Sequence, residues 1–230
     1  NAISVQEVLE DALTTVLRTP IKVTGAGRTD TGVHAKLMVA HFDAPISGAI
    51  YVNLVYLINQ FLKSDLLIHS ISPVKEDAHA RFDARIRTYE YHIDLEKNPF
   101  SKGLAYLFRD ALDLDKMNEA AQLIQTFKDF KAFSKTNTDV KTFFCDISHA
   151  EWTKKEGGYV FKITANRFLR NMVRAIVGTL LDVGTDKTTI EQVGEIIKSN
   201  QRSNAGFSVP AHGLYLTDIQ YPDNIYIING

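Results

Sequence analysis

The sequence predicts an α+β chain in which helices and strands are mixed and not strictly alternated. Three observations carry this. Apolar residues recur at helical spacing in some segments and alternate at strand spacing in others. Two strand-like stretches, 143–153 and 158–165, follow one another with no helix between them. The 230 residues are 45% hydrophobic and 23% charged, ordinary for a folded globular protein and unlike a disordered one. No internal repeat is detectable.

Taken in order, Ser4 and Glu7 form a capping box. Val5, Val8, Leu9, Ala12, Leu13, Val16 and Leu17 follow at helical spacing, and Pro20 stops the helix. Residues 21–24 and 37–42 read as strands holding a glycine-rich loop between them. A helix is expected over 50–62 and a strand over 66–71. Ser72-Pro73 and the polar Lys75-Glu76-Asp77 then mark a joint, which suggests two halves, 1–75 and 76–230. Residues 85–93 alternate, placing Arg85, Arg87, Tyr89 and Tyr91 on one cationic and aromatic face. Helices over 113–127, 168–183 and 188–199 and a last strand over 214–221 complete the pass.

Composition narrows the function classes. With 26 basic against 27 acidic residues, the chain has no overall pull toward nucleic acid. Local basic clusters at Arg81-Arg85-Arg87, Lys128-Lys131-Lys135 and Arg167-Arg170-Arg174 read, on charge alone, as solvated faces. A single cysteine, Cys145, excludes an intrachain disulfide and a cysteine-based zinc cluster. No apolar run approaches the roughly 20 residues of a membrane span. Glu7, Glu10 and Asp11 make the opening residues unlike a secretory signal, so a cytoplasmic, membrane-independent protein is expected.

The most informative segment is Gly25-Ala26-Gly27-Arg28-Thr29-Asp30-Thr31-Gly32-Val33-His34-Ala35. Its glycines allow close approach of a substrate to the backbone, and one carboxylate, Asp30, sits among them with Arg28 two residues before it. The usual glycine-rich templates fail. Asp30 stands where a dinucleotide fingerprint needs its third glycine, and no Gly-Lys-Ser or Gly-Lys-Thr closes a P-loop. Asp30 and His34 are four apart, but Thr31-Gly32-Val33 is a poor helix for holding a metal between them, so no metal is expected.

Residues 26–35 resemble the active-site motif of the TruA family of tRNA pseudouridine synthases. The resemblance continues through Ala78-His79-Ala80-Arg81-Phe82-Asp83-Ala84, Arg87-Thr88-Tyr89-Glu90-Tyr91, Phe168-Leu169-Arg170-Asn171-Met172-Val173-Arg174, and a late stretch from Ala205 to Leu216. It implies two ferredoxin-like halves sharing a mainly antiparallel central sheet, helices packed on one side, and an active-site cleft between the halves. It implies conversion of uridine to pseudouridine at positions 38, 39 and 40 of the tRNA anticodon arm, by a homodimer without cofactor. It also implies an earlier strand carrying Asp-Gly and Gly-x-Gln elements, which this sequence does not contain.

The chemistry requires breaking the C1′–N1 bond, turning the uracil and joining C5 to C1′, without letting the base escape. By resemblance, Asp30 is the catalytic aspartate, acting as nucleophile at C1′ or as base at C2′. Arg174 matches the basic partner that keeps it ionised and oriented. Tyr89 matches the tyrosine that stacks on the target base. Arg28 matches the residue that fills the space left by the flipped nucleotide or contacts its phosphate. His34 and His79 read as loop-fixing groups. Asp83 and Glu90 replace residues that are commonly serine and basic in the family, and they lower positive charge beside Tyr89. Two other readings compete: a glycoside hydrolase, which wants a second carboxylate that Asp43 supplies poorly, and a non-catalytic RNA-binding factor.

Overall fold

The structure, a computed structural model, describes residues 3–44, 48–136 and 140–227; the side chains of the helix beginning at residue 48 are described from residue 53. The described elements are, in order, α1 (Val5–Leu17), β1 (Thr24–Gly25), β2 (His34–Ala35), β3 (Ala40–His41), α2 (Gly48–Phe61), β4 (Ile86–Asp94), β5 (Tyr106–Leu107), α3 (Leu114–Gln125), β6 (Ile147–Lys155), β7 (Gly158–Ala165), α4 (Met172–Gly184), α5 (Ile190–Ser199) and β8 (Leu214–Gln220). They fall into two compact units that interleave along the chain. The smaller comprises Asn1–Arg28, Val39–Ala84 and Tyr221–Gly230; the larger comprises Thr29–Met38 and Arg85–Gln220.

The larger unit is built on a mixed sheet of order β2-β8-β4-β7-β6, with β5 added beside β4. Its long strands β8, β4, β7 and β6 are antiparallel neighbours, whereas the short β2 and β5 join in parallel to β8 and β4. Sheet residues Tyr91, Ile93, Trp152, Phe161 and Ile163 share one buried core with Met117 and Ile124 of α3 and with Ile176 and Leu180 of α4. Eleven of the 13 residues of α4 are buried, the mark of a helix enclosed on all sides. The two exceptions, Arg174 and Asp182, are its charged residues.

Tyr91 corrects the expected cationic and aromatic face. The alternation is right, but Tyr91 is fully buried and donates its hydroxyl to the Pro210 carbonyl at 2.8 Å, so only the start of β4 carries Arg87 and Tyr89 outside the deep core. A bulge on β8 shifts the β4–β8 register between Thr88 and Tyr89, which adds twist at the tyrosine. Helix α4 also starts later than residue 168. Asn171 has φ 68, a left-handed value that separates the 168–170 approach from the helix proper.

In the smaller unit, α1 has the expected capping box, with Ser4 and Glu7 exchanging hydrogen bonds. Ala12, Leu13, Ile21, Val23, Leu54 and Ile58 form its core. The strands expected over 21–24 and 37–42 reduce to the two-residue ladder β1–β3, and the strand over 66–71 is absent. The reason is which group takes each backbone bond. Ile21 N–H donates to Thr14 Oγ1, Val23 N–H to the Glu10 carboxylate, and Val23 C=O accepts from the Gln6 amide. Asn59 of α2 brackets Ile68 in the same way, donating to its carbonyl at 2.9 Å and accepting from its N–H at 2.8 Å. The described strands therefore make two sheets, where one shared sheet was expected.

Candidate active site

Asp30 lies in the larger unit, at the first corner of a tight turn. Its carbonyl accepts from Val33 N–H at 3.1 Å, and Gly32, with φ 85, takes the third position, where type II turns need a positive φ. Directly after the turn, β2 pairs with β8 through His34 and Tyr215, and Lys36 N–H bonds the Leu216 carbonyl at 2.8 Å. The carboxylate is thus fixed a few residues from a paired strand. His34 stacks on Tyr215 with ring centroids 4.7 Å apart and sits 3.2 Å from the Gly103 carbonyl. Those contacts occupy it in holding the loop.

Arg174, on the first turn of α4, donates from Nη1 to Asp30 Oδ2 at 3.0 Å. Its Nε–H donates to the Val209 carbonyl at 2.7 Å, so the guanidinium is held from two sides. That carbonyl belongs to a strap, residues 205–209, pressed against α4. A Cβ on Gly178 would lie 1.9 Å from the Phe207 carbonyl oxygen, and one on Gly206 would lie 2.5 Å from Thr179 N. Only glycine permits such an approach. Arg170 adds a second cation, its Nε 3.6 Å from Asp30 Oδ1. The Asp30 side chain keeps 27% exposure and Arg174 keeps 19%, so the pair is sheltered yet open on one side.

Tyr89 belongs to the same unit and packs edge-on against Phe168, with centroids 5.2 Å apart. Burial pushes its hydroxyl up to about 12, and the nearby Asp30 charge adds to the rise while Arg87 opposes it. It is therefore a neutral phenol at ordinary pH, able to offer a ring face or a hydrogen bond. Arg87 donates to the Asn166 carbonyl at 3.1 Å.

Asp30 and Arg174 line a cleft of about 450 Å³ together with Lys135, Thr136, Asn171, Arg202 and Ser208. The structure brings together Asp30, Arg174 and Tyr89. Arg28 falls in the smaller unit, exposed and without a hydrogen bond or ion pair among the described residues. His79 is there too, accepting from Arg81 and Phe82 N–H groups in a local turn. Asp83 accepts from His79 N–H, and Glu90 pairs with Lys36 at 3.1 Å. The sequence reading did not assign roles to Arg170, Arg202, Asn171 or Ser208. Arg170 stood in a recognised basic cluster, but Arg202 and Ser208 carry no signal until the strap folds onto α4. Among the described residues no group of His, Cys, Asp and Glu is placed to hold a metal ion, and no helix is long and apolar enough to cross a membrane.

Such a site offers one carboxylate held by a guanidinium, a partly buried aromatic in the same unit, and several cations around an open cleft. A family model described as tRNA pseudouridine synthase matches residues 120–222. Proteins named tRNA pseudouridine synthase A are similar over nearly the whole chain. The one from Porphyromonas gingivalis is 50% identical over 99% of this chain and 91% of its own length. That from Bacteroides thetaiotaomicron is 50% identical over 98% and 85%, and that from Parabacteroides distasonis 47% over 98% and 90%. Identity at that level and extent decides the matter: this chain belongs to the tRNA pseudouridine synthase A family.

Proposed function

We propose that the protein isomerises uridine to pseudouridine at positions 38, 39 and 40 of the tRNA anticodon stem-loop, with Asp30 as its single catalytic aspartate. The observation that carries this reading is the Asp30 carboxylate, held at 3.0 Å by Arg174 and facing an open cleft. Arg174 fixes the direction of the carboxylate by a charge-assisted hydrogen bond, serving equally an attack on C1′ and proton removal at C2′. The target base stacks on Tyr89, whose ring Phe168 holds edge-on. Arg28 occupies the gap left by the flipped nucleotide or contacts its phosphate. No metal or cofactor enters, because the reaction rearranges bonds without net oxidation or hydrolysis.

The wider reading includes two ferredoxin-like halves, 1–75 and 76–230, a homodimer that supplies basic surface to a subunit of net charge −1, and work in the cytoplasm. The test is to treat unmodified tRNA with the protein and map pseudouridine by carbodiimide derivatisation and primer extension. Stops at positions 38–40 are expected. Binding of tRNA without new stops would oppose the reading and favour a non-catalytic RNA-binding role.

A further inference from the structure

We propose that Ser208, Arg202 and Lys135 form a subsite for a backbone phosphodiester flanking the target uridine, beside Asp30. The inference rests on the RNA-isomerising reading above and adds to it a bound group and the residues that hold it.

Ser208 supplies the sharpest observation. Its Oγ accepts from Asn171 Nδ2 at 2.6 Å and from Arg202 Nη2 at 2.8 Å. A hydroxyl has two lone pairs and one hydrogen. With both lone pairs taken, Ser208 can only donate, and among the described residues it has no acceptor. It lines the cleft that Asp30 faces. A hydroxyl left as a donor on the wall of such a space suits a ligand that accepts hydrogen bonds.

Arg202 indicates the charge of that ligand. Its guanidinium is half-buried, and burial lowers its pKa. Its partners are neutral oxygens: Nη1 donates to the carbonyls of Ala205 at 3.3 Å and Gly206 at 3.0 Å, and Nη2 to Ser208. No carboxylate among the described residues lies within ion-pair distance. Of its five N–H groups, Nε–H and one on Nη2 have no acceptor among the described residues. Lys135 stands on the same wall, its backbone N–H bonded to the Arg170 carbonyl at 3.0 Å. Arg174 and Arg170 stand beside the Asp30 carboxylate, while Arg202, which has no carboxylate partner among the described residues, lines the same cleft together with Lys135. A phosphodiester has the matching chemistry, a single negative charge on two acceptor-only oxygens. Each uridine in an RNA chain carries one on either side, so holding one would position C1′ relative to Asp30.

The test uses anticodon stem-loop RNAs carrying a single methylphosphonate 5′ or 3′ of the target uridine, which removes the charge and one acceptor. Pseudouridine formation (kcat/KM) and RNA binding (Kd) are measured for the wild type, Ser208→Ala and Ser208→Thr. At one of the two phosphates the substitution is expected to weaken the wild type about tenfold. Ser208→Ala is expected to weaken unmodified RNA severalfold and to lose the part of the methylphosphonate penalty that the hydroxyl contributes, with Ser208→Thr restoring both. Coupling of that kind is not produced by a loosened strap, which would lower activity while leaving the penalty unchanged. Additive penalties at both phosphates, in kcat/KM and in Kd, would overturn the subsite. Coupling in Kd from an enzyme that forms no pseudouridine on unmodified RNA would retain the subsite and remove the isomerase reading.

Discussion

Two aspartates of the larger unit, Asp30 and Asp94, both pair with a basic residue, and they differ in what surrounds the pair. Asp94, at the end of β4, has a side chain only 8% exposed and receives hydrogen bonds from Lys155 Nζ and Ser101 Oγ. Both partners converge on it, and it pins the turn at residues 98–103 to the sheet. Asp30 is 27% exposed, has Arg174 on one side and Arg170 farther off, and leaves the remaining side to a cleft. A saturated carboxylate holds structure. One that is oriented by a cation and left open can react. The contrast predicts that the same isosteric change at the two positions damages different properties.

The largest effect is expected from Asp30→Asn, which should lower kcat on the order of 10³-fold or more while melting temperature and tRNA affinity change little. Steady-state kinetics beside a thermal melt and a binding titration read all three. A variant that folds but loses tRNA binding would make Asp30 a binding residue and weaken the contrast.

Arg174→Met should come next. It removes the charge-assisted hydrogen bond that aims the carboxylate, and kcat/KM should fall by roughly 10–100-fold, the rate equivalent of about 1.5–3 kcal/mol. An unchanged kcat/KM in a folded variant would show that Asp30 needs no partner.

Tyr89→Phe keeps the ring and is expected to stay within about tenfold of wild type, whereas Tyr89→Ala should lose more, since base stacking on an aromatic is worth about 1–3 kcal/mol. Spectrophotometric titration should find the Tyr89 phenol ionising near about 12, well after an ordinary tyrosine at 10.0. Because the folded value is raised, the associated stability is complete below 10 and is lost as pH rises through the folded value. A titration without this late step would place the hydroxyl outside its sheltered setting.

The smallest catalytic effect belongs to Asp94→Asn, which should leave kcat nearly unchanged and lower stability by about 1–3 kcal/mol, or about 2–4 °C per kcal/mol in a chain of this size. Burial works against the Asp94 charge, but the hydrogen bonds from Lys155 and Ser101 outweigh it and hold the carboxyl below its ordinary 3.8. A depressed folded value means stability present above the unfolded one and lost as pH falls through the folded one. Acid melts of Asp94→Asn should therefore be flatter below about pH 4 than those of the wild type. Equal steepness would remove Asp94 from the acid limb.

Much of the larger unit was legible because its signals are local. The alternation over 85–93, the period of 113–127 and the apolar run within 168–183 survive as β4, α3 and α4 with only their ends moved. The smaller unit was read less well, since residues 21–24 and 66–71 have strand-like sequence but lose their backbone bonds to Thr14, Glu10 and Asn59. Such capture by side chains of a neighbouring helix leaves no periodic trace. The parallel additions β2 and β5 were missed because two residues are too few to alternate. At the candidate site, Asp30 and Arg174 were singled out through motif resemblance, and Tyr89 through that resemblance together with the strand face it shares with Arg87. Their meeting depends on a helix entry at Asn171 and on the strap clamped by Gly178 and Gly206, neither of which composition announces.

The most direct measurement is tritium release from tRNA carrying tritium at uracil C5, run side by side for wild type, Asp30→Asn and Asp94→Asn at matched folded concentration. The account predicts release by the wild type and by Asp94→Asn and none above background by Asp30→Asn. Release by Asp30→Asn at a rate near that of the wild type would contradict it.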